Sequence, residues 1–300
     1  MFQGFAEFNI ETEPDLVIHG VQGGSGPAIL LLHGFPQTYH IWHRIVDKLS
    51  LQYRVIALDL RGYGASSKPA GSDSHIEYSK SVMARDCMTV MTYLGHSHFF
   101  VCGHDRGARV AHKLCIDYPR AVRKAMFLDI CPTLSMYNKA DKTFATAYFH
   151  WFFLIQEAPI PETLINLNPQ KFFEIFVASG PDLQILHPDA LAVYLAAFNQ
   201  PETIHAMCED YRASASVDLE EAKADISSNR HIQCPLRVLY GSLGIMGEFY
   251  DVNAEWTAVH ATGEVQSYPV ECGHYIPEEQ PSFSHKGFYQ SSIFEHQGVN

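Results

Sequence analysis

The chain has 300 residues, 47% hydrophobic, 18% charged and 12% aromatic, which is enough apolar side chain for a large core and too much for a disordered chain. With 33 acidic against 21 basic residues its formal charge is -12, a field that repels phosphate backbones and anionic lipid and so excludes nucleic acid and membrane surfaces as partners. An anionic substrate would meet the same repulsion at long range and would need local cations to override it.

In chain order, Met1–Ile10 hold Glu7 and no basic residue, and the longest aliphatic run of the first third is only Ile29–Leu32. Neither a signal peptide nor a membrane-spanning helix is predicted there, and a cytosolic protein is expected. Short β-rich runs follow at Leu16–Val21, Ala28–Leu32, Arg54–Leu58, Phe99–Cys102, Lys124–Leu128, Leu236–Tyr240 and Glu264–Tyr268. Most are almost continuously apolar, as strands buried on both faces are, and stretches of helical period separate them. This alternation predicts the α/β class, a mostly parallel sheet covered by helices.

Between Pro132 and about residue 229 the strand pattern stops and the sequence becomes aromatic and helical, with Tyr148–Phe153, then Ala190–Phe198 and Pro201–Ser214. An inserted helical lid is expected, which divides the chain into a first core part (1–131), the lid (132–229) and a second core part (230–300). Seven cysteines, odd in number and without a CxxC pair, predict buried thiols rather than a disulfide framework or a zinc site.

The central strands end in His33-Gly34-Phe35-Pro36, Asp59–Gly64, Gly103-His104-Asp105-Arg106-Gly107 and Asp129-Ile130-Cys131-Pro132. Ligands of open parallel sheets bind outside the carboxyl ends of strands, so the chemistry is expected at these four places. Gly103–Gly107 reads as strand, Gly-x-Asp-x-Gly, then helix, a sharp turn that displays its central side chain, here Asp105. Taken alone, such an aspartate serves equally well as a helix cap. Three features favour a nucleophile. The backbone N–H groups of Phe35 and Arg106 can converge as an oxyanion hole. His274, in Gly273-His274-Tyr275 after a late strand, stands where the base belongs in the order nucleophile, acid, histidine. Asp129 directly follows a strand and supplies the acid, whereas the loop after the next strand, Gly241–Gly244, has no carboxylate; Glu248 and Asp251, slightly further on, are weaker candidates. Arg106 and Arg109 then form a guanidinium fork beside Asp105 suited to a carboxylate, unless they are surface residues or partners of nearby acids.

Over roughly residues 1–280, the motifs His33–Gln37, Asp59–Gly64, Gly103–Arg109, Phe127–Thr133 and Gly273–Tyr275 resemble the aspartate-nucleophile branch of the α/β-hydrolase fold. They resemble most specifically the haloacetate (fluoroacetate) dehalogenases. Haloalkane dehalogenases and epoxide hydrolases usually carry tryptophan where this chain has Arg106. The resemblance implies that Arg106 and Arg109 hold a substrate carboxylate. It also implies that His150 and Trp151, in Tyr148–Phe152, and Tyr211, in Cys208–Arg212, donate to a departing halide. Asp105 would displace the halide of a small anionic 2-haloacid, and His274, oriented by Asp129, would activate the water that hydrolyses the resulting ester to a 2-hydroxy acid. This chemistry needs no metal or organic cofactor, and the resemblance implies a homodimer. Two other readings remain: an epoxide or other hydrolase of a carboxylated metabolite, using Tyr211 with Tyr148 or Tyr137 as acids, and a non-catalytic receptor for a small acid. From about residue 280 the tail departs from the family's closing amphipathic helix, with Gly287 interrupting a poor apolar stripe.

Overall fold

The computed structural model describes residues 1–178 and 183–282. Its centre is an eight-stranded sheet built from β1 (Ala6–Glu13), β2 (Leu16–Gly23), β3 (Ala28–Leu32), β4 (Arg54–Leu58), β5 (Phe99–His104), β6 (Val122–Leu128), β7 (Leu236–Gly241) and β8 (Val265–Val270). The spatial order is β1-β2-β4-β3-β5-β6-β7-β8, with β1/β2 and β2/β4 antiparallel and the remaining pairs parallel. The expected α/β class, with its mostly parallel sheet, is the fold found.

Strand β3 explains why the sequence was legible. Successive side chains of a strand point to opposite faces. Leu30 and Leu32 join one core cluster, with the helices Lys80–Tyr93 and Arg106–Asp117, and Ile29 and Leu31 join the other, with Trp42, Ile45, Val46 and Leu49. A strand covered on both faces must be apolar at every position, and each such side chain contributes about 1.5–3 kcal/mol by leaving water. Register then aligns the strand ends: Leu32 pairs with both Leu58 and Gly103, Gly103 with Phe127, and Leu128 with Leu239. The four motifs that follow these strands are thereby brought to one edge of the sheet.

Strand β1 was not anticipated. Its alternation of Ala6, Phe8, Ile10 and Thr12 with Glu7, Asn9, Glu11 and Glu13 is a half-buried pattern, and only Ile10 is fully buried. Between β6 and β7 the described chain is helical, including Phe149–Leu154, Pro188–Phe198 and Pro201–Ala215. The last two each begin with proline, whose missing N–H costs nothing in a first turn. All seven cysteines are free and buried, as expected. The short helix Ile276–Glu279 follows His274, and the atypical tail from residue 283 onward lies outside the described residues. Among the described residues no helix is long and apolar enough to cross a membrane.

Candidate active site

The turn between β5 and the helix Arg106–Asp117 holds Asp105 at φ 47° and ψ −115°, a region that side-chain-bearing residues rarely occupy and that costs about 1–3 kcal/mol. Its neighbours make the turn compulsory. A Cβ on Gly107 would lie 2.3 Å from the His33 carbonyl oxygen, so only glycine lets the helix approach β3 this closely. Asp105 makes no side-chain bond to the helix it precedes, so the capping role is not taken. Instead Oδ1 accepts the Phe35 N–H at 2.9 Å, and Oδ2 lies 3.8 Å from Nε2 of His274. Gly34 is close enough that a Cβ there would come within 2.5 Å of Asp105 Cβ, which is how the Phe35 amide reaches the carboxylate. Burial raises the Asp105 pKa, but the charges around it, from His274 through the two arginines, outweigh this and hold it below the usual carboxylate value.

His274 Nδ1 donates to Asp129 Oδ2 at 2.6 Å, and the other oxygen of Asp129 accepts the Gly241 N–H at 2.7 Å. The Asp105 carboxylate, His274 and Asp129 therefore stand in one line, hydrogen-bonded between His274 and Asp129 and at ion-pair distance between His274 and Asp105. Burial would lower the His274 pKa, yet the Asp129 hydrogen bond and charge raise it above its ordinary value. Neither alternative acid is placed to orient His274: Asp251 caps its own helix through the Ala254 N–H at 3.0 Å, and Glu248 is exposed.

Arg106 and Arg109 are both buried, which removes the surface alternative. Neither is a free fork. Arg106 places Nε and Nη2 on the two carboxylate oxygens of Asp210, each at 2.9 Å, so it has the nearby acidic partner that was the competing expectation. Arg109 donates from Nη1 to the Cys131 carbonyl at 3.2 Å and to Thr133 Oγ1 at 2.8 Å. Each still keeps one buried nitrogen without a partner, Nη1 of Arg106 and Nε of Arg109. Each also stacks on a lid aromatic, Arg106 at 4.2 Å from the Tyr211 ring centre and Arg109 at 4.8 Å from that of Trp151.

The three lid residues converge on the same place. The His150 ring stacks on Phe35 at 6.2 Å, Tyr211 meets Phe35 edge-on at 5.4 Å, and Trp151 lies 6.4 Å from Tyr211. His150 is kept neutral by burial, its pKa lowered to about 3, so one ring nitrogen carries a proton to donate.

Residues 27–164 match the family model of the alpha/beta hydrolase fold. A fluoroacetate dehalogenase from Burkholderia sp is 40% identical over 283 residues, covering 94% of this chain and 91% of that protein. A soluble epoxide hydrolase from Corynebacterium sp. (strain C12) is 30% identical over 275 residues, 89% of this chain and 90% of that one. The crystal structure of ALR0039 from Nostoc sp PCC 7120 superimposes with a TM-score of 0.93 at 47% identity, over 97% of this chain and 98% of the other. The chain belongs to the α/β-hydrolase fold family. Within it the chain lies on the haloacetate-dehalogenase-like branch, and it is a hydrolase.

Several side chains that support the site of this hydrolase were not read from its sequence. His104, fully buried with its pKa lowered to about 3, bonds through Nε2 to the His274 carbonyl at 2.8 Å. Glu279 accepts the N–H groups of Gly273 at 2.7 Å and Tyr275 at 2.8 Å, gripping the loop on both sides of His274. Asp59 receives the amides of Tyr39 at 3.0 Å and Ala65 at 2.8 Å, tying together the loops after β3 and β4. Of these Asp59 and His104 carried a signal, their place at strand ends; Glu279 depends on contacts that only the folded loop makes.

Proposed function

We propose that this hydrolase removes halide from a short 2-haloacid such as a haloacetate and releases the 2-hydroxy acid. The observation that carries the reading is the pair of buried arginines beside Asp105, each with one unpartnered nitrogen, a receptor for a carboxylate next to an anionic nucleophile. The relation to the Burkholderia fluoroacetate dehalogenase supports it.

In the proposed reaction the substrate carboxylate binds Arg106 and Arg109. Asp105 Oδ2 attacks the α-carbon, forming a C–O bond as the C–halide bond breaks, and the halide leaves with the bonding pair toward the donors of His150, Trp151 and Tyr211. A small halide is strongly hydrated, so these donors replace water as its charge develops. Water then loses a proton to His274 Nε2 and attacks Cγ of the Asp105 ester. The oxyanion forms on Oδ1, which already holds the Phe35 N–H, and the Arg106 N–H completes the pair. Collapse breaks the Cγ–ester oxygen bond, and protonated His274 returns the proton to the departing alkoxide.

A second reading, opening of a carboxylated epoxide, draws support from the Corynebacterium epoxide hydrolase and from Tyr137, whose buried hydroxyl has no partner and whose ring lies 5.0 Å from Trp151. One experiment separates the two. Purified protein is incubated with fluoroacetate, chloroacetate and bromoacetate, and halide release is followed. Asp105→Asn should lower release by about 10⁴-fold or more. His274→Asn should release one halide per site and leave the Asp105 peptide heavier by one carboxymethyl group. If a folded protein releases no halide from any of the three, the epoxide reading takes precedence.

A further inference from the structure

Arg106 follows the nucleophile directly in the chain, and its side chain has no solvent exposure. A cation taken out of water pairs with whatever carboxylate it can reach, and Asp105 is its sequence neighbour. Yet among the described residues the one basic group within ion-pair distance of Asp105 is His274. Arg106 is held elsewhere, by one turn of the lid helix Pro201–Ala215. Its Nε and Nη2 fork onto Asp210, Nη2 also reaches the Asp210 carbonyl at 2.8 Å and the Ser214 hydroxyl, and Tyr211 lies against its face. One edge and one face of the planar group are thereby occupied, and Nη1 is left over. Asp210 is itself immobilised: Lys80 Nζ donates to Oδ1 at 2.5 Å and Tyr63 Oη to Oδ2 at 2.7 Å. Burial opposes its charge, but Arg106 and Lys80 keep its carboxyl far below the ordinary range, so it is ionised.

We propose that Asp210 is a positioning residue that turns Arg106 away from Asp105 and presents Nη1 to a substrate carboxylate, so that selection for an anionic substrate is a property of the Asp210–Arg106 pair. This deepens the dehalogenase reading and rests on it. Without the fork, Arg106 would swing onto Asp105, occupying both oxygens of the nucleophile and leaving the substrate carboxylate one cation short. Asparagine at 210 would offer one acceptor and one donor to a fork that carries only donors, so the bidentate geometry cannot survive. The lid and the nucleophile's own helix meet through this pair, which therefore assembles the carboxylate receptor only when the lid is seated.

The test compares acetate with acetamide, unreactive probes that are close in size and differ in charge, by calorimetric titration of wild type, Asp210→Asn, Asp210→Glu and Lys113→Met. Wild type should prefer acetate. Asp210→Asn should weaken acetate about tenfold or more while acetamide stays within about threefold. Asp210→Glu keeps the network's charge and so guards against a misfolded asparagine variant; its displaced carboxylate should also weaken acetate. Lys113→Met removes a cation of the nucleophile's own helix that pairs with Asp225 and not with Asp210; it leaves the fork and its supports, and should hold acetate within about threefold of wild type. The proposal is overturned by wild type without acetate preference, by a folded Asp210 variant that binds acetate as wild type does, or by an equal loss in Lys113→Met. Halide release from chloroacetate by wild type is measured alongside. Its absence, with acetate still lost in Asp210→Asn, sinks the dehalogenase reading and leaves the positioning role standing; its presence, with acetate unaffected by either Asp210 variant, sinks the positioning role alone.

Discussion

A histidine activates water only while it is neutral, so in the proposed reaction the pKa of His274 sets the acid limb of hydrolysis. Burial pulls that pKa down and Asp129, at 2.6 Å, pulls it up further, leaving it above the ordinary 6.5. The rate of that proposed ester hydrolysis should therefore rise with pH, with its midpoint held up by the Asp129 charge. Asp129→Asn removes the carboxylate, so the midpoint should move to lower pH while the plateau drops by about 10²–10⁴-fold through loss of ring orientation. An acid limb unchanged in that variant would take Asp129 out of the orienting role. Linkage has the opposite sign: the stability contributed by a histidine of raised pKa is complete below its unfolded value and is lost as pH rises through the folded one. The pair thus contributes least to folding where His274 is the best base.

The elements that carry lid and core are joined at a second buried carboxylate. Glu278, in the short helix after His274, accepts the Tyr194 hydroxyl of the helix Pro188–Phe198 at 2.8 Å, and its Oε2 lies 3.5 Å from Arg44 Nε. His43 Nδ1 stands 3.8 Å from the same oxygen, and the Arg44 Nη1 donates to the Glu278 carbonyl at 2.8 Å. Burial pushes the carboxyl up to about 7 against the lowering influence of Tyr194 and Arg44. A carboxyl raised above its unfolded value stabilises the fold below that value, and the stabilisation is lost as pH rises from 4.5 to about 7. Glu278→Gln should match the wild-type melting temperature near pH 5 and exceed it by several degrees at pH 8. The check is thermal unfolding of both proteins across that range, and a wild-type-minus-variant difference that does not change with pH would refute the coupling.

For the whole molecule, the charge of -12 opposes the approach of the proposed anionic substrate, while the arginines proposed to bind it are buried. Salt screens exposed charges over about 10 Å at 0.1 M ionic strength and buried ones far less. Raising ionic strength from about 0.01 to 0.15 M with a non-halide salt should therefore increase kcat/KM for a haloacetate and leave it unchanged for the neutral haloacetamide. A fall in kcat/KM for the anion would mean that local attraction governs the encounter even at long range. A halide salt would confuse the result by competing for the proposed halide donors.

Local pattern alone was sufficient for the features that a short window of chain determines. Continuous apolar runs announced the strands covered on both faces, and glycine spacing announced the turn at Asp105, because sterics act within a few residues. The order of motifs named Asp129 and His274, although their bond joins positions 145 apart. Strand β1, half buried at the sheet edge, had the weaker signal of an alternating pattern. What the arginines do was not decided at this level. The sequence placed Arg106 and Arg109 beside Asp105, and only the folded chain shows that Arg106 is divided between Asp210, 104 residues away, and one free nitrogen. The physical reason is that a buried charge takes its partner from whichever surface packs against it, and that surface exists only once the lid helix has docked.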